Sequence, residues 1–111
     1  MDLLHQIDVP AERMFQSLVE RLVRVCQHAD VAAVRLKVGR RQWTTPGFAE
    51  TPWRLEAPIT WRGKKLGRIE MVYLESRPMA DHGPFLNGER QSLETVAACL
   101  GPHLTLRQAN L

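Results

Sequence analysis

Between residues 31 and 75, apolar and polar side chains alternate in four short segments, and this pattern limits the fold more than any other feature of the sequence. Alternation with a period of two is typical of β-strands that bury one face and leave the other in water. Glycine and proline residues separate the segments, as expected for turns and loops. We therefore predict four strands, over residues 31–38, 41–45, 53–62 and 66–75.

Pro58 lies in the middle of the third predicted strand. A proline has no backbone N–H, so it cannot donate a hydrogen bond to a neighbouring strand. We therefore expect the third strand to lie at an edge of the sheet, or to be bulged near Pro58. After this strand, the residues Gly63, Lys64 and Lys65 predict a hairpin turn with both lysines in solvent.

A helical stretch precedes the four strands. Residues 10–29 carry apolar side chains at spacings of three and four, which predicts an amphipathic helix. Asp8 is its predicted N-cap, and Pro10 suits the first turn because its missing N–H would have no partner there. The apolar stripe is wide enough to contact both a sheet and a second helix.

A second helix is predicted over residues 88–108, with Asn87 as its N-cap. Gly101 and Pro102 fall in its second half, where proline removes one backbone hydrogen bond and crowds the preceding turn. We therefore expect a kink or a break near residues 101–102.

The order α-β-β-β-β-α with short connections predicts a single domain over residues 1–111, of the α+β class. Both terminal helices would cover the apolar face of an antiparallel sheet. No apolar run approaches the roughly 20 residues that span a bilayer, and the first ten residues do not resemble a signal peptide, so we expect a cytoplasmic location. Cys26 and Cys99 are predicted to be reduced and to fill the core.

Six ionisable residues crowd around three breakers in the segment 72–91. A catalytic interpretation would pair His82 with Asp81 or Glu75, but adjacent side chains rarely face each other, and no nucleophile lies in a recognisable motif nearby. We therefore interpret the segment as a solvated connector, anchored on the core by Phe85 and Leu86. The four histidines lack metal-ligand spacing, so we predict no catalytic, metal or cofactor site.

The middle of the chain is basic, with nine lysines and arginines but only two acids between Arg35 and Arg68. Most of these cations should project from the sheet face opposite the helices. We favour a solvated face crossed by ion pairs, because RNA-binding sheets also need exposed aromatic side chains. The alternative is a binding face for nucleic acid or an acidic partner, formed by Arg35, Lys37, Arg54, Arg62 and Arg68.

Three stretches carry a family resemblance: "TTPGFAETPWRLEAPI", "GRIEMVYLESRP" and "GPFLNGERQSLETVAACLG", in that order. From about residue 31 to 108 the chain resembles the short GAF-like module of bacterial sensor histidine kinases and related signalling proteins. The resemblance implies a PAS/GAF-type sheet with strand order 2-1-4-3, non-enzymatic cytoplasmic signalling and dimerisation through the terminal helices. It also implies a histidine kinase or other signalling domain, fused or separate, as a partner.

The expected function is therefore that of a non-catalytic sensory, interaction and dimerisation module, with a second copy of the chain as partner and without cofactor, nucleic acid or membrane. Its two-fold interface would use apolar faces of both helices. The predicted interface residues are Phe15, Leu18, Leu22, Val25, Leu93, Val96, Leu100 and Leu104.

A small-molecule sensor is the other alternative. Its ligand would lie near the loop 46–52, between the aromatic side chains of Trp43, Phe48 and Trp53. Larger GAF domains cover their ligands with inserted helices, whereas this loop is short, which makes a closed apolar pocket hard to build. We interpret Trp53 and Trp61 as part of the core under a helix.

Overall fold

The computed structural model describes the backbone of residues 3–109 and the side chains of residues 12–102. The chain forms an α+β fold with one four-stranded antiparallel sheet. The strands lie in the order β2-β1-β4-β3, which confirms the predicted order. The helices and strands are α1 (Leu3–Arg24), β1 (Ala32–Val38), β2 (Arg41–Thr44), β3 (Arg54–Trp61), β4 (Lys64–Tyr73) and α2 (Asn87–Ala109).

Helix α1 begins at Leu3 and runs through Pro10, so the prediction that Asp8 caps its N-terminus is wrong. It ends at Arg24, earlier than predicted. The last turn tightens there, since Val25 N–H donates to the Leu22 carbonyl and Cys26 N–H to the Val23 carbonyl. A short 3-10 turn over Ala29–Val31 then leads into β1.

Helix α2 is continuous from Asn87 to Ala109 and does not break at residues 101–102. Gly101 is buried against β3, where a Cβ atom would collide with the carbonyl oxygen of Thr60. The missing side chain therefore allows the helix to approach the strand closely, and this packing supports α2 where Pro102 cannot donate a backbone hydrogen bond.

Strand β3 lies at an edge of the sheet, as Pro58 predicts, with β4 as its neighbour. The β3–β4 register shifts between Ile59 and Thr60, next to the proline. The hairpin turn is formed by Arg62 and Gly63, with φ angles of 51° and 80°. Two positive φ angles are typical of a type I′ turn. Lys64 and Lys65 therefore belong to β4 and not to the turn, which corrects the predicted boundary.

One hydrophobic core holds the apolar face of the sheet and buried side chains of both helices. Phe85 belongs to this core and stacks on Tyr73 with 4.5 Å between ring centroids, which confirms the predicted anchor of the connector. Leu86 is 39% exposed, so its predicted anchoring role is wrong. The buried cluster consists of Phe15, Val19, Leu22, Cys26, Val31, Ala32, Val34, Leu36, Ala57, Ile59, Ile69, Met71, Tyr73, Phe85, Leu93, Ala97 and Leu100.

The two cysteines differ in burial. Cys26 lies in the core, as predicted, whereas Cys99 is exposed. Its neighbour Leu100 takes the inward position on α2, and because adjacent helical residues are turned by about 100° from each other, Cys99 faces away from the sheet. Among the described residues, no helix has the length and apolar character needed to cross a membrane.

Candidate functional site

A groove runs between the two helices. Helix α1 contacts β1 and β2, whereas α2 contacts β3 and β4, so the width of the sheet keeps the helices apart. Two adjoining hollows of about 640 Å³ each make up the space between them, which we call the inter-helix groove.

The lining of the inter-helix groove is apolar or uncharged, except for two arginines of α1. Met14 is 41% exposed and Val25 is 57% exposed, which is high for large apolar side chains. Among the residues with described side chains, no carboxylate belongs to this lining. The residues of the two hollows are Arg13, Met14, Ser17, Leu18, Arg21, Leu22, Val25, Gly88, Gln91, Ser92, Thr95, Val96, Cys99 and Leu100.

The residues predicted for a dimer interface divide into two groups. Leu18, Val25 and Val96 line the inter-helix groove and remain at least partly open. Leu22 and Leu100 also line the groove, but belong mainly to the core, with at most 6% exposure. Phe15 and Leu93 are buried in the core of the single chain and do not line the groove. The side chain of Leu104 lies outside the described residues.

Sequence reasoning missed Met14, Thr95 and Cys99 as groove residues. Met14 is four residues before Leu18, and Thr95 and Cys99 are four residues apart, so helical spacing could have grouped them. It could not say which side of each stripe turns towards the sheet.

The opposite face of the sheet is organised around Glu70, whose side chain is 1% exposed. Arg35 donates from Nε to Glu70 Oε2 at 2.6 Å, and Arg68 Nε lies 3.2 Å from Oε1. That second pair is close enough for an ion pair but is poorly oriented, so neither atom gains a hydrogen bond from it. Arg54 adds a third guanidinium at 3.8 Å.

Two more acids complete the network. Glu50 binds Arg35 at 3.0 Å, and Glu56 binds Arg54 at 3.3 Å. The hydrogen bond with Glu70 is the main cause that raises the pKa of Arg35, and the hydrogen bond from Arg35 lowers the pKa of Glu50. The expected ion-paired face is therefore confirmed for three of its five predicted cations, Arg35, Arg54 and Arg68.

Lys37 and Arg62, the other two predicted cations, differ in their position. Lys37 lies on the same face, in β1 directly opposite Arg68. Arg62 lies in the hairpin turn, where its guanidinium packs on the Trp61 ring at 5.5 Å, so its predicted place on the sheet face is wrong. The reason is that β3 ends at Trp61 and Arg62 adopts the positive φ angle of 51° that the turn requires.

The structure does not bring Trp43, Phe48 and Trp53 together around a common cavity. Trp43 is paired with Leu36 on the helix-covered face, and its ring meets Phe15 edge-on at 4.8 Å. Phe48 lies under the guanidinium of Arg35 at 4.7 Å, on the charged face. Trp53 is half-buried against the core, as predicted.

The ionisable residues of the connector cap helix α2. Asp81 accepts the backbone N–H of Asn87 at 3.0 Å, so Asn87 is a capped first residue and not the N-cap. His82 Nε2 lies 2.6 Å from the Asn87 side-chain oxygen, and Arg90 lies 3.2 Å from His82 Nδ1. Because Nδ1 then accepts, His82 donates from Nε2.

Glu89 is buried in the first turn of α2 and joins three parts of the chain. Its carboxylate accepts the N–H of Leu86 at 2.7 Å, the N–H of Gln27 at 3.0 Å and the hydroxyl of Tyr73. Burial is the main cause that raises the pKa of Cys26 to about 12, with a contribution from Glu89. Burial and the same carboxylate also raise the pKa of Tyr73.

Within the described residues, no three or more His, Cys, Asp or Glu side chains are grouped in a way that could hold a metal ion. In comparisons with known proteins, no family model matches the chain, and no curated protein or solved structure matches it either.

Proposed function

We propose that the chain is a non-catalytic, GAF-like sensory, interaction and dimerisation module of bacterial signal transduction, which acts as a homodimer. The strand order β2-β1-β4-β3 supports a PAS/GAF relationship, because the sequence resemblance implies the same order. The observation that carries the proposal is the open, largely apolar inter-helix groove on the side of the fold where the terminal helices lie.

A second copy of the chain is the occupant that we infer for this groove. In a two-fold arrangement, a helix of each copy lies against the groove of the other, and each surface is used twice. The exposed side chains of Met14 and Val25, eleven residues apart, provide an apolar ridge about 16 Å long. Small side chains on the opposite wall, Ser92, Thr95 and Cys99, leave room for such a ridge.

The charges of the groove are compatible with this pairing. Arg13 and Arg21 are eight residues apart, or about 12 Å along the helix. Their long side chains can keep the guanidinium groups in water at the rim while the aliphatic parts cover apolar surface. A shift in the packing of the four helices would then change how a fused or separate signalling partner, such as a histidine kinase, is presented.

Light scattering after gel filtration, from low to high micromolar concentration, tests the proposal. We expect a concentration-dependent dimer that Val25→Glu and Met14→Glu each weaken at least about tenfold, because each variant places a charge in an apolar contact. Both positions are exposed in the single chain, so the variants should fold.

Met79→Glu is the matched control. Met79 is 79% exposed but lies in the connector, away from the groove, so this variant should dimerise normally. A protein that stays monomeric at high micromolar concentration would remove the dimer, and equal weakening by Met79→Glu would remove the groove as its interface.

A further inference from the structure

Three cations meet at the end of the charged sheet face, far from the inter-helix groove. The β3–β4 register shift leaves Leu66 as an extra residue in β4, because Ile59 pairs with Gly67 and Thr60 with Lys65. Leu66 packs against the core, so the bulge turns Lys65 to the same face as Arg68. Lys37 lies opposite Arg68 in the neighbouring strand β1.

These cations line one hollow of about 220 Å³. Its other lining residues are Gly39 and Gly67, which have no side chains to fill it. As far as side chains are described, from residue 12 to 102, the lining therefore contains neither a carboxylate nor an aromatic ring. We call this hollow the cationic hollow.

Within the described residues, the protein balances the charge of the cationic hollow only in part, through Glu70 beside Arg68. The three arginines around Glu70 are matched by three glutamates, Glu50, Glu56 and Glu70 itself. Within residues 12–102, neither Lys37 nor Lys65 forms an ion pair. Lys37 is half-buried directly opposite Arg68, an arrangement of like charges that destabilises a sheet unless an anion lies between them.

We propose that the cationic hollow binds a phosphate monoester or inorganic phosphate through Lys37, Lys65 and Arg68. Lysine ammonium groups bind phosphate oxygens as point charges, and an arginine adds directed N–H donors. None of the described lining residues carries an aromatic ring, which disfavours a nucleobase, since bases commonly bind by stacking. Arg35 and Arg54, which lie on the same face but do not line the hollow, are held by glutamates and so offer little to a longer nucleic-acid backbone.

The test is a titration of the folded protein with inorganic phosphate, followed by amide chemical shifts in two-dimensional NMR at constant ionic strength. We expect saturable shifts at Lys37, Gly39, Lys65, Gly67 and Arg68. Lys65→Gln should weaken phosphate binding about tenfold, and Lys37→Gln by a similar factor, each from the loss of one close charge. Sodium chloride at matched ionic strength should not reproduce the shifts.

Lys64→Gln is the control, because Lys64 is an exposed neighbour in the same strand but does not line the hollow. It should change the affinity less than about twofold, within the scatter of surface substitutions. Lys37→Gln should not lower the midpoint of thermal unfolding, because it relieves repulsion with Arg68.

Several results would overturn the proposal. Shifts that do not saturate, or that spread over all exposed cations, would show only general attraction of anions. Equal weakening by Lys64→Gln and Lys65→Gln would do the same. Tighter binding of a short DNA duplex than of phosphate, reduced by Lys64→Gln as much as by Lys65→Gln, would identify a polyanion surface instead. None of these results depends on dimerisation.

Discussion

Tyr73, the last residue of β4, donates its hydroxyl hydrogen to the buried carboxylate of Glu89 in the first turn of α2. The same carboxylate receives the N–H of Gln27, just after α1. The end of one helix, the start of the other and the central strand between them are thus joined through one side chain. The carboxylate thereby links the segment after α1 to the first turn of α2.

Glu89→Ala should be strongly destabilising. It removes the acceptor of two backbone N–H groups and one hydroxyl, and each buried donor without a partner costs about 1–3 kcal/mol. We expect a loss of at least about 3 kcal/mol in urea unfolding, and about 1–2 kcal/mol for Tyr73→Phe. Glu94→Ala, which removes an exposed pair with Arg90 in the same helix, should cost less than about 1 kcal/mol. Equal losses at the two glutamates would contradict the central role of Glu89.

The Cys26 thiol should make stability fall in alkali. Its pKa is raised from 9.0 to about 12 in the folded protein, mainly by burial. Below pH 9 the thiol is neutral in both states and its contribution is constant. Between pH 9 and 12 the unfolded chain loses the proton that the folded chain keeps, so the free energy of unfolding falls by about 1.4 kcal/mol per pH unit.

Comparison with Cys26→Ala isolates this effect, because other groups that titrate in alkali are shared by both proteins. The difference in unfolding free energy between the two should be flat from pH 7 to about 8.5 and should shrink above pH 9. The exposed Cys99 supplies a second measurement. A thiol reagent at pH 8 should modify Cys99 in the folded protein, whereas Cys26 should be modified only after unfolding. Rapid modification of both would show that Cys26 is not protected.

Alanine should have opposite effects at two glycines of α2. In an ordinary helix, replacing glycine by alanine stabilises by up to about 1 kcal/mol. Gly88→Ala should follow this rule, since its Cβ meets open space. Gly101→Ala would push a methyl group into the Thr60 carbonyl oxygen and should destabilise by about 1–3 kcal/mol. A stabilising Gly101→Ala, measured by thermal unfolding, would refute the close contact between α2 and β3.

Alanine substitutions at Phe85 and Leu86, two neighbouring residues of the connector, should differ in their cost to stability. Phe85 is fully buried and stacked on Tyr73, so Phe85→Ala should cost about 3–5 kcal/mol. Leu86→Ala should cost less than about 1 kcal/mol, because that side chain is 39% exposed and lies outside the buried core. Chemical denaturation of the two variants measures both values. Similar costs would mean that the connector is not anchored through Phe85.

Removing the carboxylate at the centre of the charged face should leave three arginines without their shared partner. Glu70→Ala is expected to cost about 3–5 kcal/mol, since the largely buried guanidinium of Arg35 loses the carboxylate that balances its charge. High salt should recover part of this loss by screening the arginines. Glu56→Gln, which removes a more exposed acid paired with Arg54, should cost less than about 1 kcal/mol. A harmless Glu70→Ala would show that the network does not stabilise the sheet.

The sequence by itself determined the strands of this protein, the edge position of β3 and the anchor of the connector. Alternation over residues 31–75 specifies four strands and which side of each is apolar, because side chains on a strand point to opposite faces in turn. Pro58 places β3 at an edge, because a central strand needs every backbone donor. The apolar character of Phe85 within a polar connector indicates its return to the core.

Only the tertiary structure decided which neighbours meet. A wide stripe on α1 does not say that Phe15 faces the sheet while Val25 stays in the groove, since that depends on how the helix is rotated against the strands. The bulge at Leu66 brings Lys65 beside Lys37, although twenty-eight residues separate them. Burial of Glu70 and Glu89 likewise comes from partners distant in the sequence. The pattern of apolar and polar residues specifies which face of a helix or strand is apolar. Which residues then meet depends on the register of the strands and on how each helix is rotated against the sheet.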